Sequence, residues 1–225
     1  MKGLIKKAVG GLLFLFVVLA VVLFGFAWTI YYWEAWIFLA VFFSPVLVIT
    51  VYLIKRDPKL LERRIKAGPG AERQWSQKVI QSLAALAFIL IFILSAVDHR
   101  FKWSAISVVV AIAGDILVVC GLGIVFFVFR ENSFASATIE VGVGQTLVSS
   151  GLYGVVRHPM YFGAVVMLVG APLALGSWWG LLAVVPIFVV IVWRLLDEEV
   201  FLERNLLGYV GYRRQVKYRL LPFIW

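Results

Sequence analysis

The sequence has one cysteine, Cys120, and two histidines, His99 and His158. A single cysteine within an apolar run excludes an intrachain disulfide framework and a cysteine-based zinc site. Two histidines far apart in the chain would leave any metal centre leaning on carboxylates, so no metal is expected. Charge is also scarce: 15% of the residues are Asp, Glu, Lys or Arg, against about 25% in soluble domains. What fills the chain instead is apolar. Hydrophobic residues make up 63% of it and the mean hydropathy is +1.00, which reads as a polytopic membrane protein. Acidic residues are outnumbered, 12 to 21, for a net charge of +9. The basic residues fall between apolar runs, where they set topology and meet anionic lipid headgroups. A nucleic-acid partner is therefore not expected.

The apolar runs predict about six transmembrane helices in an all-α bundle. The first covers 12–33, after a start that carries Lys2, Lys6 and Lys7. It is longer than a signal-peptide core and lacks a clear small-x-small cleavage site, so it is expected to be retained. Trp28, Tyr31, Tyr32 and Trp33 would form its interfacial belt. Further spans are expected at 35–54 (with Pro45 as a possible kink), 79–97, 104–129, 159–175 and 178–196. Two stretches follow from this division: 1–97, with the first helices and a basic loop at 55–78, and 98–225, where the chemistry is expected. The loop reads as a surface connection with short amphipathic pieces, or as a lipid contact framing a substrate entrance. The tail, 197–225, places Val200, Phe201, Leu202, Leu206 and Leu207 near helical spacing. That predicts an interfacial amphipathic helix.

Counting charges orients the bundle. With six spans, 19 of the 21 Lys and Arg fall on the side of the N-terminus, and only Arg100 and Lys102 fall opposite. The positive-inside rule puts both termini in the cytoplasm. The segment before span five and the segment after span six then share that side. Arg157-His158 and Asp197-Glu198-Glu199 therefore meet at one end of a helical hairpin. Opposite charges at one interface suit a zwitterionic ligand, and equally suit a structural salt-bridge network. Within the spans, Asp115 is costly in hydrocarbon and is a functional candidate, or a protonated or hydrogen-bonded packing residue. Gly121-Leu122-Gly123 would let a helix or a ligand approach closely.

The residues 157–163, Arg-His-Pro-Met-Tyr-Phe-Gly, together with Glu198-Glu199, Gly208-Tyr209, Tyr212, Val216, Arg219 and Pro222, carry a resemblance. The chain resembles the isoprenylcysteine carboxyl methyltransferase family and its relatives, the phospholipid methyltransferases. The look-alikes are bacterial members, similar also at Phe129-Arg130-Glu131-Asn132, at Gln145 and at 172–179. The match covers about the last hundred residues and hardly touches the first hundred. Spacings after Glu199 and after Val216 differ by a residue from those of animal and archaeal members, which bears on substrate more than on cofactor.

The resemblance implies S-adenosylmethionine as cofactor, in a pocket reached from the cytosol of a bacterial inner membrane, with a lipidic or amphipathic small-molecule substrate entering from the bilayer. It implies that Glu198 and Glu199 accept from the cofactor ammonium, and that Arg157 and His158 meet its carboxylate. Tyr161 would pack on the adenine or bond the cofactor. Gly163, and Gly121 and Gly123 as a family-like Gly-x-Gly, would allow close approach. Arg157, His158 and Arg194 are the candidate catalytic residues, with Arg194 or Arg204 holding a substrate carboxylate. Adjacent residues on a helix do not share a face, so one glutamate is expected to face the ligand and the other a basic partner or water. Without the resemblance, His158 reads as a helix-start residue, Arg194 as an i,i+4 partner of Glu198, and Tyr209, Tyr212 and Tyr218 as headgroup anchors. Two other functions remain open. One is an NADPH-dependent reductase of the sterol-reductase type, whose members usually have asparagine where Met160 stands. The other is a non-catalytic membrane scaffold.

Overall fold

The computed structural model describes residues 1–72 and 74–225. Arg73, one of the basic residues of the 55–78 connection, lies outside the described residues. Eight α-helices, and no strand, occur among the described residues: α1 Lys2–Ala27, α2 Trp33–Arg56, α3 Pro58–Ile65, α4 Trp75–Phe101, α5 Val108–Glu131, α6 Pro159–Ala174, α7 Gly180–Asn205 and α8 Tyr209–Gln215. Five of them (α1, α2, α4, α5 and α7) are long and apolar enough to cross a membrane. The sixth expected span, α6, is apolar but has only 16 residues. The all-helical membrane bundle expected from the sequence is the observed architecture.

Helix ends differ from the sequence reading where local chemistry decides. The first helix starts at Lys2 and stops at Ala27, because Trp28 takes a left-handed conformation (φ 58°) and its N–H turns back to the Gly25 carbonyl. The aromatic belt therefore lies in a turn, and Trp33 already belongs to α2. In the basic connection, Asp57 caps α3. Its Oδ1 accepts from the Leu60 N–H at 2.9 Å, and Pro58 takes the first helical position, where no N–H is needed. The short helix buries Leu60 and Leu61. The expected tail helix is divided: Val200, Phe201 and Leu202 extend α7, while Leu206 and Leu207 lie in the turn to the short α8.

Glycines set how closely α5 and α6 pack. A Cβ on Gly163 would sit 2.7 Å from the Gly121 carbonyl oxygen, and one on Gly170 would sit 2.6 Å from that of Gly114. Only residues without side chains allow this backbone approach. The helix following the turn at 175–179, α7, packs chiefly on α4, so the connected α6–α7 pair is splayed rather than a tight hairpin. One end of the bundle gathers the N-terminus of α1, the C-terminal ends of α2 and α5, and α3, through Ala8, Leu53, Leu60 and Phe129. The opposite end is tied by Asp98, which accepts from Ser104 and from the Ser177 hydroxyl, and by Tyr32, whose hydroxyl donates to the Leu175 carbonyl at 2.6 Å.

Candidate functional site

The two clusters singled out in the sequence do meet, at the basic end of the bundle. The chain 155–158 enters α6 alongside the tail: the amides of Arg157 and His158 donate to the carbonyls of Tyr218 and Arg219, both at 2.9 Å. Arg157 is buried, and its Nε and Nη1 are held within the fold. Its Nε donates to Glu199 Oε1 at 2.6 Å, and its Nη1 to the carbonyls of Val216 and Lys217 at 2.8 and 3.0 Å. Glu199 is also buried, and its second oxygen accepts from Arg219 Nε at 3.0 Å. A buried carboxylate between two guanidinium groups is a paired charge, as burial requires. It joins three segments: the start of α6, the end of α7 and the tail.

Glu198, the neighbouring residue, faces elsewhere. It lines a partly open hollow together with Arg157, His158, Met160 and Tyr161 from the start of α6, residues of the 132–148 loop, Tyr153, and Leu202, Leu206, Tyr209 and Tyr212. Its Oε2 accepts from the Tyr161 hydroxyl at 2.6 Å, and that oxygen in turn accepts from Arg194 Nε at 3.0 Å. The expected helix salt bridge between Arg194 and Glu198 does not form. Arg194 is drawn instead to Glu72 at 3.0 Å, the Gln77 side chain at 2.9 Å and the Ala137 carbonyl at 2.8 Å. Those partners engage both Nη atoms of the guanidinium, and Tyr161 stands between its Nε and Glu198.

His158 is buried and stacks against Tyr161, with 5.7 Å between ring centroids. Its Nε2 is 3.4 Å from Glu199 Oε1, long and poorly directed for a hydrogen bond, and it has no hydrogen-bond partner among the described residues. Gly163, Gly121 and Gly123 do not line the hollow. Gly121 and Gly163 face each other across the α5–α6 crossing, where packing accounts for them, and nothing stands within 4 Å of a Cβ built on Gly123. Asp115 and Arg204 also lie away from the hollow.

The walls include residues to which sequence reasoning gave no role. The 132–148 loop is held from α3, where Arg63 and Arg64 donate to the carbonyls of Ser133 and Ser136. The basic connection thus frames the hollow from the first half of the chain. Asn132 donates to the Tyr153 hydroxyl at 2.9 Å, and Gln145 accepts the Gly142 amide. Tyr209 and Tyr212, read as headgroup anchors, are instead buried with Leu206 and Val216 in a cluster under the tail. The signal was the spacing 209, 212 and 216, which puts three residues on one helix face. Burial raises the Tyr153 phenol to about 12, against a smaller opposing effect of the Asn132 hydrogen bond. Burial first, and then nearby carboxylates or tyrosine, raises Tyr209 and Tyr212 as well.

Chemically, the hollow offers an ionisable carboxylate held by a tyrosine, a buried imidazole nitrogen with no partner, and the first turn of a helix. A family of known proteins shares most of this region. The sequence model of the family described as phospholipid methyltransferase matches residues 109–206. The Delta(14)-sterol reductase of Mus musculus is 27% identical over 132 residues, which cover 48% of this chain and 31% of that protein. The chain thus spans about a third of the length of that relative. It is an integral-membrane protein whose segment 109–206 is similar to the phospholipid methyltransferase family.

Proposed function

We propose that the protein is an S-adenosylmethionine-dependent methyltransferase of the bacterial inner membrane, acting on a lipidic or amphipathic acceptor, with both termini in the cytoplasm. The observation that carries this reading is the Glu198 carboxylate, held by Tyr161 in the wall of a hollow that His158 also lines. The family match over 109–206 supports it, and the charge count supports the orientation. Bound in the hollow, S-adenosylmethionine would supply a sulfonium methyl group for in-line displacement by the acceptor.

In this reading Glu198 accepts from the cofactor ammonium, and His158 Nε2 and the free amides of the first turn of α6 meet its carboxylate. Arg157, Glu199 and Arg219 do not touch ligand; they fix the walls. Arg194 acts through Tyr161 and is a positioning residue. Tyr153, Tyr209 and Tyr212 enclose the nucleoside end with aromatic faces. An ionised carboxylate acceptor would need no base, so catalysis would rest on positioning and exclusion of water. An amine acceptor would give up its proton to Glu198 or His158.

Calorimetry on the purified protein tests the reading. S-adenosylhomocysteine is expected to bind, and Glu198→Gln to weaken binding by about tenfold or more, since a charge-assisted hydrogen bond is lost. Absence of binding by a folded preparation overturns it. The likeness to a sterol reductase favours a second reading, an NADPH-dependent reductase. NADPH binding without S-adenosylhomocysteine binding in the same preparation would establish that one instead.

A further inference from the structure

The chain after α7 has two unlike faces. Inward, Leu206, Tyr209 and Tyr212 form part of the wall of the hollow, and the carbonyls of Val216 and Lys217 hold the Arg157 side chain. Outward, the tail exposes large apolar side chains: Leu207 at 96%, Phe223 at 80% and Ile224 at 79%, with Val210 half exposed. Single exposed apolar residues are ordinary, but four this exposed within eighteen positions of one polar-ended tail call for a cover. Basic side chains are interleaved with them. Arg213 pairs with Glu203, whereas Arg214 and Lys217 are exposed and make no ion pair among the described residues.

Position identifies the cover. Leu207 follows the last residue of α7 by two positions, so the tail begins at the charged end of a membrane-crossing helix, just past its apolar part. On α8, Val210 and Arg214 fall on the face away from Tyr209 and Tyr212, Arg213 lies on its flank, and Lys217 is exposed just beyond the helix. Apolar groups that reach the acyl boundary, flanked by cations at headgroup level, are the chemistry of a segment that lies on an anionic bilayer surface. We propose that the outward face of the tail docks on the anionic phospholipid leaflet at the basic end of the bundle. Docking there holds Leu206, Tyr209 and Tyr212 in place as the wall of the hollow. This inference rests on the fold and the exposed face, and stands whatever ligand the hollow takes.

The test places the full chain in nanodiscs of phosphatidylcholine alone, or with about one third phosphatidylglycerol, and follows amide hydrogen exchange of residues 206–225. The anionic lipid is expected to slow exchange about tenfold, from two unpaired cations near the surface, and about 0.5 M salt to reverse most of that. The double variant Arg214→Gln, Lys217→Gln is expected to exchange at one rate in both lipids. Phe223→Ser with Ile224→Ser is expected to lose protection in both. Exchange within α4 and α5 reports whether each variant is folded; if one is not, the salt-dependent lipid contrast of the unaltered chain decides. Equal exchange in the two lipids overturns the proposal. So does protection that appears only when two copies share a disc, which would assign the face to a second copy of the chain.

Discussion

Glu198 and Glu199 are consecutive residues of α7 whose carboxylates never share a partner: Glu199 is clamped by Arg157 and Arg219, and Glu198 is held by Tyr161 at the wall of the hollow. Successive side chains on a helix point about 100° apart. A Glu-Glu pair at this spot therefore reaches two sites at once, one structural and one open to a ligand.

Glu199→Gln is expected to be the destabilising member of the pair. It would leave Arg157 buried without its carboxylate, and breaking a buried ion pair from one side costs about 3–5 kcal/mol. Thermal unfolding in detergent should show a large fall in the midpoint for Glu199→Gln and a small one for Glu198→Gln. Equal effects would mean that the two glutamates share one role.

Tyr161→Phe removes the hydroxyl between Arg194 and Glu198 without emptying the space its ring fills. The expected outcome is a nearly unchanged melting temperature with about tenfold weaker S-adenosylhomocysteine binding, in line with the loss of a hydrogen bond to a charged group. Arg194→Lys should act in the same direction, since an ammonium cannot reproduce the fork that reaches Glu72, Ala137 and Tyr161 together.

Gly163→Val and Gly121→Val are expected to disturb the fold rather than ligand binding alone. Each side chain would be driven into the facing backbone across the α5–α6 crossing, and overpacking of this kind costs about 1–3 kcal/mol or more. Gly123→Ala, where nothing stands within 4 Å, should be neutral in the same unfolding assay.

Alkaline pH should unfold the site end first. The Tyr153 phenol is raised to about 12 in the fold, against about 10 in an unfolded chain. The fold therefore favours the protonated form, and the unfolded chain loses its proton first. That contribution is complete below about pH 10 and is lost as pH rises towards 12. Tyr209 and Tyr212 are shifted the same way and extend the loss to higher pH. Stability followed by denaturant titration should be level from about pH 7 to 9 and fall above about 10, with a shallower fall in Tyr153→Phe.

The membrane bundle and the meeting of Arg157-His158 with Glu198-Glu199 were legible in the sequence because both follow from counting: apolar runs give spans, and an even number of spans between two segments puts them on one side. Two kinds of detail were not. Partner choice was one. Arg194 is spaced to meet Glu198 within its own helix, but Glu72 and Ala137 come from chain more than fifty residues away, and no local pattern encodes them. Glycine roles were the other. Gly121, Gly123 and Gly163 look alike in sequence, and only the crossing of α5 and α6 separates two packing residues from one open position. Tyr209 and Tyr212 illustrate the remaining error, since tyrosine beside arginine at the end of a span has the composition of a headgroup anchor whichever way the ring turns.

The brevity of α6 sets the depth of the whole arrangement. At 1.5 Å per residue its 16 residues reach about 24 Å, whereas the 24 residues of α2 reach about 36 Å. Both start level at the far end, where Tyr32 at the head of α2 bonds Leu175 at the foot of α6. The shortfall therefore falls at the His158 end, and the floor of the hollow lies about 12 Å short of the level that α2 reaches. Water-borne molecules must descend to reach that floor, while a headgroup anchored in the surrounding lipid is already near its level.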